Sequence, residues 1–150
     1  MELGFLFALI LIGHLIGDYL VQTEWQALNK KKPGVEGHIA CALHCVTYSA
    51  VVVMTIMIFG KWLAGVDIGF AEQMAAFGII YLTHYPFDRS NIVGKILSWK
   101  GLVRPAVLDM KNSTSPKDIL DISKYLLVYI VADNTVHLTL MFLGLGFLLG

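Results

Sequence analysis

Four long apolar stretches separate the charged residues of this chain, and they constrain the fold more than any other feature. A helix needs about 20 largely apolar residues to cross a bilayer. Because lipid offers the backbone no hydrogen-bond partner, such stretches must be helical. The sequence therefore predicts one all-α membrane domain over residues 1–150, with four transmembrane helices at about 3–23, 37–59, 68–87 and 116–149.

The composition supports this prediction, since 57% of the residues are hydrophobic and only 15% are charged. A soluble domain has about 45–50% apolar and about 25% charged residues. The third stretch is the weakest, because Glu72 and Gln73 interrupt its start. The first stretch lacks a basic start and a cleavage site, so we expect a retained helix and not a signal peptide.

The lysines and arginines predict how the helices are oriented, because cytoplasmic loops are enriched in them. Ten of the eleven lie in or next to segments 24–36 and 89–121, and only Lys61 lies between the second and third stretches. Both segments should be cytoplasmic, and both termini should lie on the opposite side. We expect the chain to reside in the inner membrane of a bacterium.

The segment from about residue 91 to 104 has its own pattern, in which Ile92, Ile96, Trp99 and Val103 recur at helical spacing. An aromatic residue and several cations accompany them, which is typical of an amphipathic helix in the membrane interface. The alternative is a loose basic loop.

Farther on, Ser115 precedes Pro116 as an N-cap would, so the last helix should begin in the cytoplasm.

Three pairs of one histidine and one aspartate lie four residues apart, a spacing that puts each pair on one helix face. They are His14 with Asp18, His84 with Asp88, and Asp133 with His137. The second helix adds His38 and His44. The predicted orientation puts all of them in the cytoplasmic half of the bundle. Ionisable groups inside a membrane are costly and usually functional.

This set of imidazoles and carboxylates predicts a divalent-metal site, with zinc favoured and manganese or iron as alternatives. The predicted ligands are His14, Asp18, His38, His84, Asp88, Asp133 and His137, and the three aspartates are also the predicted catalytic residues. We expect Gln22, His44 and Asn134 to contact and orient these ligands without binding the metal themselves. The alternative is a hydrogen-bonded polar core that holds the helices together.

At these residues the chain resembles an uncharacterised family of bacterial and phage membrane proteins, catalogued as domain of unknown function 3307. The matching motifs are HLIGDYLVQTEW, HIACALH, HYPFD and DNTVH, in that order along the chain. In the last motif Asn134 stands where the family usually has glutamine. The resemblance implies an integral membrane protein and no particular activity. The chain also resembles small membrane-bound metal-dependent hydrolases more loosely, because they too carry His and Asp residues within the membrane, although no motif aligns.

The function that we expect is metal-dependent hydrolysis of a lipid-like or other membrane-associated substrate at the cytoplasmic leaflet. One alternative is a small proton-coupled transporter that uses the His/Asp pairs as a relay. The other is a non-catalytic membrane interaction protein with a structural polar core. The expected partners are the lipid bilayer, the substrate and further copies of the chain. Membrane topology already accounts for the basic residues, so nucleic acid is not an expected partner.

Overall fold

A computed structural model describes residues 1–101 and 116–150, and every regular element within these ranges is a helix. Helix α1 continues into a π-helical segment, and five further helices follow. They are α1 at Leu3–Leu15, the π-helical segment at Ile16–Val21, α2 at Glu24–Asn29, α3 at Gly34–Ala64, α4 at Phe70–Arg89, α5 at Ile92–Trp99 and α6 at Pro116–Leu149. The all-α class predicted from the sequence is confirmed.

Three helical segments are long and apolar enough to cross a membrane, namely Leu3–Val21, Gly34–Ala64 and Ile119–Leu149. The length and composition of these helices are typical of a membrane protein. The remaining predicted span falls on α4, which has 20 residues and begins beside Glu72 and Gln73. Its place in the membrane stays a prediction.

The described residues form two compact units, and the first contains Met1–Ser90 together with His137–Gly150. The second unit is Asn91–Val136. It includes α5, which lies within the segment predicted as an interfacial helix. The end of that segment, at 102–104, and the predicted N-cap Ser115 lie outside the described residues. The interfacial position of α5 remains a prediction.

One half of the first unit is an apolar core to which α1, α3, α4 and the end of α6 all contribute. We call this the apolar half; its buried residues are Leu6, Leu9, Ile10, Tyr48, Val52, Val53, Ile56, Ala76, Ile80, Met141 and Leu145. The ammonium group of Met1 donates a hydrogen bond to the carbonyl oxygen of Leu149 at 3.1 Å. These contacts hold the beginning of α1 beside the end of α6.

Two glycines allow α1 and its continuation to approach α3 closely. A Cβ atom added to Gly13 would lie 3.0 Å from the Cα atom of Val52. One added to Gly17 would lie 2.6 Å from the ring atom Cδ2 of Tyr48, a distance that real Cβ atoms do not show. The Gly-x-x-x-Gly spacing is a common device for close helix packing in membranes.

The connection from the π-helical segment to α3 is tightly organised. Thr23 caps α2, with its side chain accepting from the backbone of Gln26 at 3.2 Å while the Gln26 side chain accepts from Thr23 at 2.9 Å. Gly34 has a φ of 83°, which favours glycine, and α3 begins there. This connection places Lys30 against the end of α4.

Candidate metal centre

Five buried or nearly buried side chains from four helical segments converge at the other end of the first unit. We call them the His/Asp cluster: Asp18 from the π-helical segment, His44 from α3, His84 and Asp88 from α4, and His137 from α6. All except Asp18 are no more than 2% exposed. Their ligand atoms form two sets, Asp18–His44–His84 and His84–Asp88–His137, each within 4.8 Å. The two sets share His84.

Asp88 lies at the centre of the cluster and faces three imidazoles. Its Oδ2 atom is 3.0 Å from Nε2 of His44 and 3.3 Å from Nε2 of His84. Its other oxygen, Oδ1, is 3.6 Å from Nε2 of His137. The spacing of His84 and Asp88 on α4 allows both side chains to reach the same point, as the sequence pattern predicts.

Asp18 joins the cluster from the π-helical segment. Its Oδ1 atom is 3.2 Å from Nε2 of His44 and 3.8 Å from Nε2 of His84. Its side chain is 15% exposed, so Asp18 forms the most exposed edge of the five-residue cluster. The π-helical segment that carries Asp18 was not predicted, although such insertions are frequent at functional sites.

The separations between these atoms suit a metal ion. Nitrogen and oxygen ligands lie about 2.0–2.2 Å from zinc, so tetrahedral ligands are about 3.3–3.6 Å from one another. The Nε2 atoms of His44 and His84 are 3.1 Å apart, and the Nε2-to-carboxylate distances run from 3.0 to 3.8 Å. Within the described residues, Nδ1 of each of these two histidines lacks a hydrogen-bond partner. The donor set and its spacing fit a divalent cation.

Tyr48 packs against two histidines at the cluster, His84 and His14, and the sequence did not predict this role. Its ring stacks on the imidazole of His84, with centroids 3.8 Å apart. Its hydroxyl oxygen is 2.6 Å from Nδ1 of His14, and the hydroxyl donates to Sδ of Met141 at 3.3 Å. Nδ1 of His14 is also 3.4 Å from Oδ2 of Asp18. His14 is therefore linked to Asp18 and Tyr48 and lies outside both ligand sets.

Lys30 brings a cation into direct contact with the cluster. Its Nζ atom is 2.7 Å from Oδ2 of Asp88, and its side chain is only 14% exposed. In the amide orientation that satisfies its neighbours, Gln22 accepts from Nζ of Lys30 at 2.9 Å and donates to the Asp18 carbonyl at 3.2 Å. Gln22 thus contacts Lys30 and the backbone of Asp18, and its predicted supporting role stays a prediction. The sequence analysis assigned Lys30 only to membrane topology.

With this geometry in place, the comparisons with known proteins identify the family. A family model described as "Protein of unknown function (DUF3307)" matches residues 6–144. The chain belongs to the DUF3307 family. Searches of curated proteins and of solved structures found no match. The resemblance seen in the motifs is confirmed, and any functional inference for this DUF3307 protein must come from its site.

The two histidines near the start of α3 have different surroundings in this DUF3307 protein. His44 is fully buried in the cluster, although the sequence analysis placed it behind the ligands. His38, a predicted ligand, is exposed, and its Nδ1 atom is 2.8 Å from the hydroxyl of Tyr85. The structure does not bring His38 into the cluster. Asp133 and Asn134 belong to the second unit, so their proposed roles stay predictions.

The charges of the cluster also favour a cation. The cluster brings together the carboxylates of Asp18 and Asp88, and Lys30 contacts only the second of them at ion-pair distance among the contacts described for it. Two carboxylates held close together in a largely buried site repel one another, so a cation between them is favourable. Cys41 and Cys45 are reduced and buried, and neither belongs to the two ligand sets.

Proposed function

We propose that this protein binds a divalent metal ion through the His/Asp cluster and uses it to hydrolyse a lipid-like or other membrane-associated substrate. The observation that carries the proposal is the convergence of two carboxylates and three imidazoles, arranged as two ligand sets that share His84. Such a buried, mixed nitrogen and oxygen donor set is typical of metal hydrolases.

The proposed membrane arrangement has four spans. They are α1 with its π-helical continuation, α3, α4 and α6, while α5 lies in the interface. A helix of 20 residues is about 30 Å long, so α4 is long enough to cross the hydrocarbon core. The distribution of lysine and arginine supports an inner-membrane location with the cluster in the cytoplasmic half and both termini on the other side.

Zinc is the metal that we propose, with manganese and iron(II) as the alternatives. The donor set contains only imidazole nitrogen and carboxylate oxygen, which suits zinc and also these harder ions. His44, His84 and Asp88 would be its core ligands, because their ligand atoms lie closest together. Asp18 and His137 would complete one site or support a second ion.

The hydrolytic chemistry would use the exposed edge of the cluster. A bound divalent ion lowers the pKa of its water ligand toward neutrality and supplies a nucleophile. Asp18 is the carboxylate at that edge, so it would accept a proton from the water. Asp88 is held by His44, His84 and Lys30 and would remain a ligand. The predicted catalytic role of Asp133 stays part of this proposal.

A structural polar core is the second candidate, and one observation favours it. The ammonium of Lys30 already lies 2.7 Å from Asp88 and compensates its charge without a metal. In that case the cluster would hold the helices together by hydrogen bonds. The transporter alternative would need a polar path across the membrane. The polar residues of the cluster lie at one end of the first unit, and the described residues of the apolar half do not continue such a path.

Thermal unfolding of the detergent-purified protein separates the two candidates. If an ion is bound at a hundred times its dissociation constant, removing it costs about 2.7 kcal/mol, which corresponds to about 5–11 °C in Tm. We expect a chelator to lower Tm by that amount and one of zinc, manganese or iron(II) to restore it. An unchanged Tm under both treatments would instead support the structural core.

A further inference from the structure

Two cations lie near the end of α4 without belonging to either ligand set. Lys30 contacts Oδ2 of Asp88, and Arg89 follows Asp88 at the end of α4. Arg89 donates through Nη1 to the carbonyl of Lys30 at 3.3 Å and through Nε to Nδ1 of His38 at 3.5 Å. Within the described residues it has no carboxylate partner at ion-pair distance. Its guanidinium is thus held beside the backbone of Lys30, a position that we call the rim of the cluster, and no carboxylate of the described residues pairs with it there.

The charge of the metal-loaded site follows from these residues. Asp18 and Asp88 contribute two negative charges, and Lys30 and Arg89 contribute two positive charges, so the protein part is neutral. A divalent ion would leave two positive charges in a largely buried environment. Uncompensated charge of this kind is costly, and an anion in the substrate would remove the cost. A phosphate monoester carries close to two negative charges at neutral pH.

We infer that the substrate presents a phosphate monoester to this site and that Lys30 and Arg89 bind it beside the metal. This inference rests on the proposed metal-dependent function. The planar guanidinium of Arg89 offers paired donors that match phosphate oxygens, and a lysine ammonium is a common phosphate ligand.

Lys30 links metal binding to phosphate binding. Its Nζ atom shares Oδ2 of Asp88 with two imidazoles, so a metal ion at that oxygen competes with the ammonium. Once displaced, the ammonium remains tethered by Gln22 and by the tight connection before α3. It is then in reach of an anion bound at the rim. The same residue therefore weakens metal binding and strengthens phosphate binding.

The surroundings of Lys30 favour a lipid headgroup over free phosphate as the source of this group. Leu20, Leu28 and Val35 lie on the segments that flank Lys30 and are 78%, 67% and 74% exposed. Exposed apolar side chains on the segments before and after a charged residue suit a molecule with a polar head and an apolar chain. Both sources share the phosphate chemistry, and the experiment distinguishes them.

Isothermal titration calorimetry on the zinc-loaded protein in detergent tests the inference. The probes are inorganic phosphate, a short-chain phosphatidic acid with a phosphate monoester and, as the control, a short-chain phosphatidylcholine, whose phosphate is a diester in a zwitterionic headgroup. We expect both phosphates to bind, the phosphatidic acid more tightly, and the phosphatidylcholine not to bind. Equal affinity for inorganic phosphate and phosphatidic acid would support the phosphate site but identify free phosphate, and not a lipid headgroup, as its ligand.

Substitutions locate the site. Arg89→Gln should weaken phosphate binding at least about tenfold with unchanged zinc content, because it removes a charge-assisted contact. Arg89→Lys should retain part of the affinity. Lys30→Met should bind zinc more tightly and phosphate more weakly. Lys95→Gln removes an exposed cation from the second unit and should change neither.

Zinc content is measured in every sample, so the two proposals fail in different ways. Phosphate that does not bind to protein containing zinc, or that binds equally well to the Arg89→Gln variant, would overturn the phosphate inference alone. Parent protein that takes up no zinc would overturn the proposed metal function, and the inference that rests on it as well.

Discussion

The apolar half and the His/Asp cluster are built on the same helices, yet different forces hold them together. Ile80 and His84 illustrate this, because they lie one turn apart on α4 and neither is more than 1% exposed. Ile80 packs within an apolar core, whereas His84 faces two carboxylates, two imidazoles and the ring of Tyr48. Burial alone therefore does not distinguish a scaffold residue from a site residue. The chemistry that converges on the residue does.

The largest expected effect separates stability from metal binding. Ile80→Ala should lower the free energy of unfolding by about 2–5 kcal/mol, because it removes buried apolar contacts and leaves a cavity. Metal content per folded chain should stay that of the parent protein. Denaturant or thermal unfolding in detergent, followed by metal analysis of the folded fraction, measures both quantities. A matching loss of metal would show that the two halves do not act separately.

The next effect compares two histidines on α3. His44→Gln should weaken metal binding by at least about tenfold, since even residues behind a metal ligand commonly contribute that much. His38→Gln is the matched control, because His38 is exposed and contacts Tyr85 and Arg89 outside the ligand sets. Competition with a metal-binding dye gives both affinities. If His38→Gln had the larger effect, the arrangement of the cluster in the structure would be wrong.

The smallest effect tests the packing that supports the cluster. Gly17→Ala would force the ring of Tyr48 to move, and that ring stacks on His84. We expect a stability loss of about 1 kcal/mol and weaker metal binding. Gly78→Ala is the control on α4, because nothing lies within 4 Å of its added Cβ atom and alanine stabilises a helix by about 0.5–1 kcal/mol. Equal behaviour of both variants in unfolding and metal titration would argue against this role.

Much of the architecture could be predicted because membrane helices depend on local composition. The apolar stretches predict the helices that contain them, and the four-residue spacing predicts that His84 and Asp88 share one face. Three of the four predicted stretches are helices that are long and apolar enough to cross a membrane. These features need no information about which helices are neighbours.

The rest of the site depends on contacts between residues that are far apart in sequence. Lys30 and Asp88 are separated by 58 positions, and no periodicity predicts that they pair. The choice of His44 over His38 depends on how α3 is rotated against α4. It also depends on how α3 packs against the π-helical segment, where Gly17 lies close to Tyr48. Tyr48 lies four residues after His44, so the spacing that identified the His/Asp pairs was the available signal for it.

The most direct test of the central claim is the metal content per chain of Asp88→Asn. Asparagine keeps the size of the side chain and removes the charge that holds a cation, so this variant should insert and purify but lose most of its metal. Glu72→Gln is the control, because Glu72 lies outside the cluster and accepts a hydrogen bond from the backbone of Gly69 at 2.7 Å. Elemental analysis should find the metal in the parent protein and in Glu72→Gln. Equal metal in all three proteins, or none in any of them, would contradict the account.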